Sequence, residues 1–241
     1  MQAVPACLLG RPQLKCLAFK FSYSKFSHSK LIFMERIRNR KEAALLLADR
    51  LEKYRGEQGA VLAIPRGGVP VAAPIAKRLG MPLEVTLSKK IGHPSNSEFA
   101  IGSVSLESVT VDERAEVPAE YIEAEVERIR ENLRQKYSLF MGDREHVTLK
   151  DRLVIIVDDG VATGKTLMAT IELVKKEQPR KIVVAVPVAS SSAYDKIDSM
   201  VDEVICLLVP PYFQAVGQFY EEFSQISDEL VIKLLQEQES L

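Results

Sequence analysis

The stretch that most constrains the fold is residues 152–166. Leu153, Val154, Ile155, Ile156 and Val157 run without a polar interruption. A strand with one wet face alternates, so an unbroken apolar run predicts a central strand covered on both faces. Asp158 and Asp159 follow directly. Then comes a turn holding Gly160, Thr163, Gly164 and Thr166, and a helical pattern over 167–176. A strand, a small-residue turn and a helix start make an anion site, because the first-turn N–H groups have no intrahelical acceptor and the helix dipole favours negative charge there. Gly160 and Gly164 allow close approach or positive φ. Thr163 and Thr166 add hydroxyl donors.

Carboxylates repel phosphate, so the acid pair needs its own reason. A sugar 2′,3′-diol can donate to both acids while its 5′-phosphate sits in the turn, and Mg²⁺, which takes carboxylate and phosphate oxygens, eases the repulsion. Phosphoribosyl diphosphate (PRPP) is such a ligand. The run Asp158, Asp159, Gly160, Val161, Ala162, Thr163, Gly164, Lys165, Thr166 resembles the PRPP-binding motif of the type I phosphoribosyltransferases. The resemblance implies that Asp158 and Asp159 are the catalytic contacts to the ribose hydroxyls. They would hold Mg²⁺ through those hydroxyls or water, while Gly160 to Thr166 bind the 5′-phosphate. Two other readings exist. The acid pair alone is also a solvated turn with a helix N-cap. Gly164-Lys165-Thr166 is also the ending of a P-loop, G-x-x-x-x-G-K-[ST], but Gly160 lies one residue too close and Asp159 stands where its first Gly should be.

A second strand–turn–helix unit precedes the first. Residues 60–64 read as a buried strand, Pro65-Arg66-Gly67-Gly68 as the turn, and 69–79 as a helix with Pro70 in its first turn. The family resemblance assigns this location to the diphosphate, with Arg66 on its oxygens and Gly67 and Gly68 presenting N–H groups. It also makes Arg66–Gly67 a candidate for a non-proline cis peptide. By itself the unit is an ordinary strand–helix turn with an exposed arginine. Residues 82–87 read as a short strand, followed by a turn bearing Lys89 and Lys90, which the resemblance directs at the departing diphosphate; the plain alternative is a solvated charged turn. Residues 100–106 and 109–111 form an expected hairpin about Glu107-Ser108. In the family this region is a mobile flap, and a lid that excludes water protects a reactive sugar cation.

The remaining elements predict a fold class: α/β, a doubly wound, mostly parallel sheet with a flap hairpin and, by resemblance, a small C-terminal hood. A helix is expected over 37–54, with Asn39 and Glu42 as a capping box, and its role is to cover a sheet face. Another spans 118–140 with Ile122, Val126, Ile129, Leu133 and Tyr137 as its buried stripe. A strand over 181–186 is ended by Pro187, Ser190 to Ser192 cap a short helix, 204–209 is the last strand, and Ser227 caps a final helix over 228–236. The aromatics Tyr212, Phe213, Phe219, Tyr220 and Phe223 either stack on an acceptor base or pack on the core or a dimer partner. Residues 219–228 also resemble a branch of phosphoribosyltransferases of undefined acceptor.

The chain has 241 residues, 46% hydrophobic and 27% charged, which suits a soluble domain with a sizeable core. A formal net charge of −1 gives no basic field for nucleic acid, and no apolar run approaches a membrane span. The three cysteines have neither metal-ligand spacing nor a disulfide framework, which fits a reducing cytoplasm. Residues 1–33 hold Arg11 and four lysines but no acid. They read as an N-terminal extension with little stable packing, with translation expected to start at Met34 and a weak targeting segment as the alternative. Residues 34–241 form the expected phosphoribosyltransferase-like domain. The expected activity is transfer of phosphoribose between PRPP and a nitrogenous acceptor with Mg²⁺ and release of diphosphate, in a cytoplasmic protein that can form a homodimer. A non-catalytic PRPP- or nucleotide-sensing regulator on the same fold is the alternative, and no helix-turn-helix is apparent to serve a repressor. Purine-salvage members of the family carry an acid where Ala162 stands, which disfavours a hypoxanthine or guanine acceptor. No segment typical of uracil or orotate members is recognisable.

Overall fold

The computed structural model describes residues 36–239 other than 113, 115, 143 and 145. The expectations for residues 1–33 lie outside these. Five strands, β1 (Gly59–Ala63), β2 (Leu83–Val85), β6 (Leu153–Val157), β7 (Lys181–Val188) and β8 (Glu203–Leu208), form one parallel sheet in the order β2-β1-β6-β7-β8. The helices that link them are α1 (Arg40–Leu51), α2 (Val69–Leu79), α3 (Ala119–Met141), α4 (Lys165–Lys176), α5 (Ser191–Asp198) and α6 (Asp228–Glu239). All five residues of β6 are fully buried, as the unbroken apolar run requires. Val154 and Ile156 face one core with Leu167, Ile171 and Val174 of α4 and Ala193 and Ile197 of α5. Leu153, Ile155 and Val157 face the other, with α1, α2, α3 and α6. Each side chain so buried contributes on the order of 1.5–3 kcal/mol, and the two-sided cover makes this the doubly wound sheet expected.

A second, antiparallel sheet joins β3 (Lys89–His93), β4 (Asn96–Val104) and β5 (Val109–Val111). This is the flap hairpin extended by one strand. Residues 89–93 and 96–99, expected as turn and loop, are strands instead. Their polarity misleads because these stretches meet water: Lys89, Lys90, Asn96 and Ser97 are exposed, and Phe99 is 60% exposed. A β-bulge at Gly92 further breaks the alternation.

Other boundaries shift for local reasons. α1 starts at Arg40, with Asn39 Oδ1 accepting from the Glu42 N–H, while Glu42 returns its bond to the Arg38 N–H rather than to Asn39. In α3 only Ile129, Leu133 and Tyr137 of the expected stripe are fully buried, with Ile122 and Val126 half-buried where the helix runs past the sheet. Pro187 does not end β7. The pairing with β6 has already stopped at Val157↔Ala185, and the register with β8 skips from Val186 to Val188, so no ladder bond needs its missing N–H. Ser190 and Ser227 cap α5 and α6 as expected. The segment between β8 and α6 forms the small hood, in which Phe219 and Tyr220 pack with Ile37, Ala43 and Val188. No helix among the described residues is long and apolar enough to cross a membrane.

Candidate functional site

Ala63 and Val157 are register partners in the neighbouring strands β1 and β6, so the turns that follow them leave the sheet side by side at its carboxyl edge. Ligands of doubly wound sheets bind at that edge. The two turns touch. A Cβ placed on Gly68 would stand 2.6 Å from the carbonyl oxygens of Ile64 and Val157, and one on Gly67 would stand 2.0 Å from Asp159 Oδ2. The absence of side chains at 67 and 68 is therefore what lets the arginine turn lie against the acid pair. The cis peptide is Pro65–Arg66, one bond earlier than the candidate Arg66–Gly67.

The two acids are not equivalent. Asp159 Oδ2 accepts from Arg40 Nε at 2.9 Å and Arg40 Nη2 at 2.6 Å, and the two side chains are 15% and 10% exposed. Its backbone N–H donates to Asp158 Oδ1 at 2.8 Å, and its carbonyl accepts from the Tyr220 hydroxyl at 2.7 Å. Asp158 forms no ion pair among the described residues. Burial first, and the charge of Asp159 second, push its carboxyl well above the usual carboxylate range, opposed in part by Arg40. Burial, together with the Asp159 charge, likewise raises the Tyr220 phenol.

The phosphate turn is built as an open loop. Ala162, Thr163, Lys165 and Thr166 are exposed. Among the described residues the N–H groups of Ala162, Thr163 and Gly164 have no backbone acceptor. Gly164, at φ +75°, turns the chain into α4. Val161 differs from the rest: it is buried, its N–H donates to Val188 and its carbonyl accepts from Ser190. It secures the loop to β7 and offers no free donor. Ser190 Oγ also donates to the Ala162 carbonyl at 2.7 Å. On Gly160 a Cβ would stand 2.4 Å from Val216 Cγ1, so this glycine is what lets the hood close over the turn.

A cleft of about 420 Å³ opens beside these turns, lined by Arg40, Arg66, Gly67 and Asp159 and by residues 223–226 of the hood. Arg66 is 39% exposed, with Asp228 Oδ1 at 3.7 Å. Lys89 and Lys90, both exposed, open strand β3 and do not line this cleft. Of the aromatics, Phe219 and Tyr220 are core. Phe223 has Arg40 over its ring at 3.9 Å and stacks with Tyr220 at 4.9 Å, while Tyr212 is 85% exposed. Core packing thus accounts for most of this group.

Arg40 is the site residue that the sequence reading passes over. A cation at the first position of a helix opposes the helix dipole. That misfit, in a helix read only as a sheet cover, is the one sign of it. Among the described residues there is no cluster of three or more metal-ligating side chains. The acid pair still fits Mg²⁺, which keeps several waters and takes one or two carboxylates plus substrate phosphates.

The phosphoribosyl transferase domain model matches residues 35–223. Two Mycobacterium tuberculosis proteins named "Putative phosphoribosyl transferase", Rv0571c of strain H37Rv and MT0597 of strain CDC 1551, are each 36% identical over 202 residues. These matches take in 82% of this chain and 46% of each relative, so the chain spans about half the length of the curated relatives it matches. The crystal structure of TT1426 from Thermus thermophilus superposes with a TM-score of 0.76 at 41% identity, over 84% of this chain and 98% of that one. On its matched domain, its sheet order and its paired turns, this chain belongs to the phosphoribosyl transferase family.

Proposed function

We propose that the chain transfers phosphoribose between PRPP and a nitrogenous acceptor, with release or uptake of diphosphate. The observation that carries this reading is the contact of two anion-binding turns, Arg66-Gly67-Gly68 and 160–166, around one acid pair. A ligand with phosphates at both ends and a diol between them matches that order of groups. Arg66 and the N–H group of Gly67 bind the diphosphate end, whereas the Gly68 N–H, expected to join them, donates to the Ile64 carbonyl at 3.0 Å and closes the turn instead. The N–H groups of Ala162, Thr163 and Gly164, those opening α4 at Lys165 and Thr166, and the two threonine hydroxyls bind the 5′-phosphate. Asp158 and Asp159 accept from the ribose hydroxyls and stabilise the positive charge that develops at C1 as the diphosphate departs. The acceptor nitrogen then attacks from the opposite face. Asp158 and Asp159 would hold Mg²⁺ through the hydroxyls or water, and the ion supplies charge neutralisation for the diphosphate. Lys89 and Lys90 belong to the flap sheet, whose closure would bring their charge to the same end and exclude water. Catalysis on this plan is positioning and electrostatics rather than covalent chemistry.

The test is a screen of nucleobases and small amines with PRPP and Mg²⁺, read as diphosphate release. Asp158→Asn combined with Asp159→Asn is expected to abolish the release. Unchanged turnover in that variant would remove the acid pair from the mechanism.

A further inference from the structure

An arginine and a carboxylate commonly pair as two forks, one N–H on each oxygen. The Arg40–Asp159 pair is built differently. Nε and Nη2 converge on Oδ2 alone, and among the described residues Oδ1 accepts no hydrogen bond. The guanidinium cannot slide to share itself out. Its Nη1 donates to the Ser224 carbonyl at 2.9 Å and its face lies over Phe223 at 3.9 Å. Gly67, which has no Cβ to displace the carboxylate, lies closest to the same Oδ2, and the Asp159 carbonyl is held by Tyr220. A structural ion pair has no need to gather both N–H groups on one oxygen of an acid that lines a cleft. A site that must receive a hydroxyl does.

We propose that Arg40 is a positioning residue: it holds Asp159 by one oxygen so that the other is left in a fixed place to accept a hydroxyl of a bound sugar phosphate. The inference rests on the reading of the site as a sugar-phosphate site and adds the residue that sets its preference for a hydroxylated sugar. It also gives the hood a task, because Phe223 and Ser224 hold the guanidinium that holds the acid.

The experiment is calorimetric titration of the full chain with ribose 5-phosphate and with its 2-deoxy and 3-deoxy analogues. The wild type should favour ribose 5-phosphate over at least one analogue by about tenfold or more, the size expected for a hydrogen bond to a charged acceptor. In Arg40→Ala that ratio should collapse to within about twofold. Arg40→Lys keeps the positive charge, and so guards against simple unfolding, but one ammonium cannot reproduce the fork, and it too should lose the ratio. Thermal melting checks that both variants are folded. A merely structural arginine predicts that affinity for all three sugars falls by the same factor with the ratio intact, and that result overturns the proposal. A wild type that binds all three equally overturns it as well, while leaving the phosphate turn standing. A wild type that binds none of them sinks the sugar-phosphate reading itself.

Discussion

The paired glycines of the first turn have separable tasks, and two substitutions distinguish them. The three atoms nearest a Cβ on Gly67 all belong to the side chain of Asp159, not to backbone. Gly67→Ala should therefore leave the backbone in place but push Asp159 off its hold on Arg40, with a loss of about tenfold or more in sugar-phosphate affinity by calorimetry. A Cβ on Gly68 would meet the carbonyl oxygens of Ile64 and Val157, which belong to the sheet and cannot give. Gly68→Ala should lower stability by about 1–3 kcal/mol, the usual cost of overpacking, seen as an earlier denaturant midpoint. Equal effects of the two substitutions on folding and binding would show that the turn acts as one unit. At this scale the acid pair and the turn glycines were legible because they are consecutive in sequence and each residue type has its own reason to be there. Arg40 was not, since its partner lies 119 residues away and nothing local names it.

Among the elements, the flap sheet is tied to the body through Glu107, His146 and Glu84. Glu107, in the turn between β4 and β5, faces His146 Nε2 at 3.1 Å, and His146 Nδ1 also pairs with Glu84 of β2. The imidazole stacks on Tyr137 of α3 at 4.2 Å, and the Tyr137 hydroxyl donates to Glu84. Glu177, after α4, lines the same small cavity. The bond to Glu84 raises the His146 pKa above its ordinary value. Burial, then the charges of Glu107 and Glu84, push Glu177 up to about 7. Arg130 and Arg144 are the cations that act on this group. The signs agree. The stabilisation by protonated His146 is complete below its unfolded value and lost as pH rises through the raised one. Glu177 keeps in the fold a proton that the unfolded chain gives up near the ordinary carboxylate value, so stability falls with rising pH up to about 7. Asp158, with its raised carboxyl, adds to the same trend. The melting temperature should drop by at least a few degrees between pH 5 and pH 8, at about 2–4 °C per kcal/mol for a domain of this size. Glu177→Gln should flatten part of the drop. A melting temperature that rises over this interval would contradict the assignment. The sequence reading had the hairpin of β4 and β5 but not β3 or this strap. A short strand that opens on two exposed lysines and carries a bulge lacks a clean period, and a polar connector shows no pattern that pairs His146 with a glutamate on β2.

On the scale of the whole molecule, the described chain closes on itself at the site. Residues 37 and 38 run beside 219–222: the Ile37 N–H donates to Phe219, and the Ile37 and Arg38 carbonyls accept from Glu221 and Glu222. Ile37 is fully buried with Phe219, Tyr220 and Val188. The parts this clasp brings together are those that hold Asp159, Arg40 at the start of α1 and Tyr220 in the hood. The central sheet alone would leave that acid without its cation. A packing defect in the clasp should therefore reach the site, whereas an equal defect elsewhere along α1 should not. Ile37→Ala is expected to cost about 2–5 kcal/mol. It should also weaken ribose 5-phosphate binding beyond what the remaining folded fraction explains. Leu51→Ala, at the far end of α1 and as deeply buried in the other core, provides the control. It should lower the melting temperature by a similar amount and leave the affinity of the folded protein unchanged. If both variants bind as the wild type does once corrected for unfolding, the clasp serves stability alone and Arg40 keeps its place without it. If only Ile37→Ala binds weakly, the clasp of 37–38 with 219–222 is part of the site, and the hood is a working wall of the cleft.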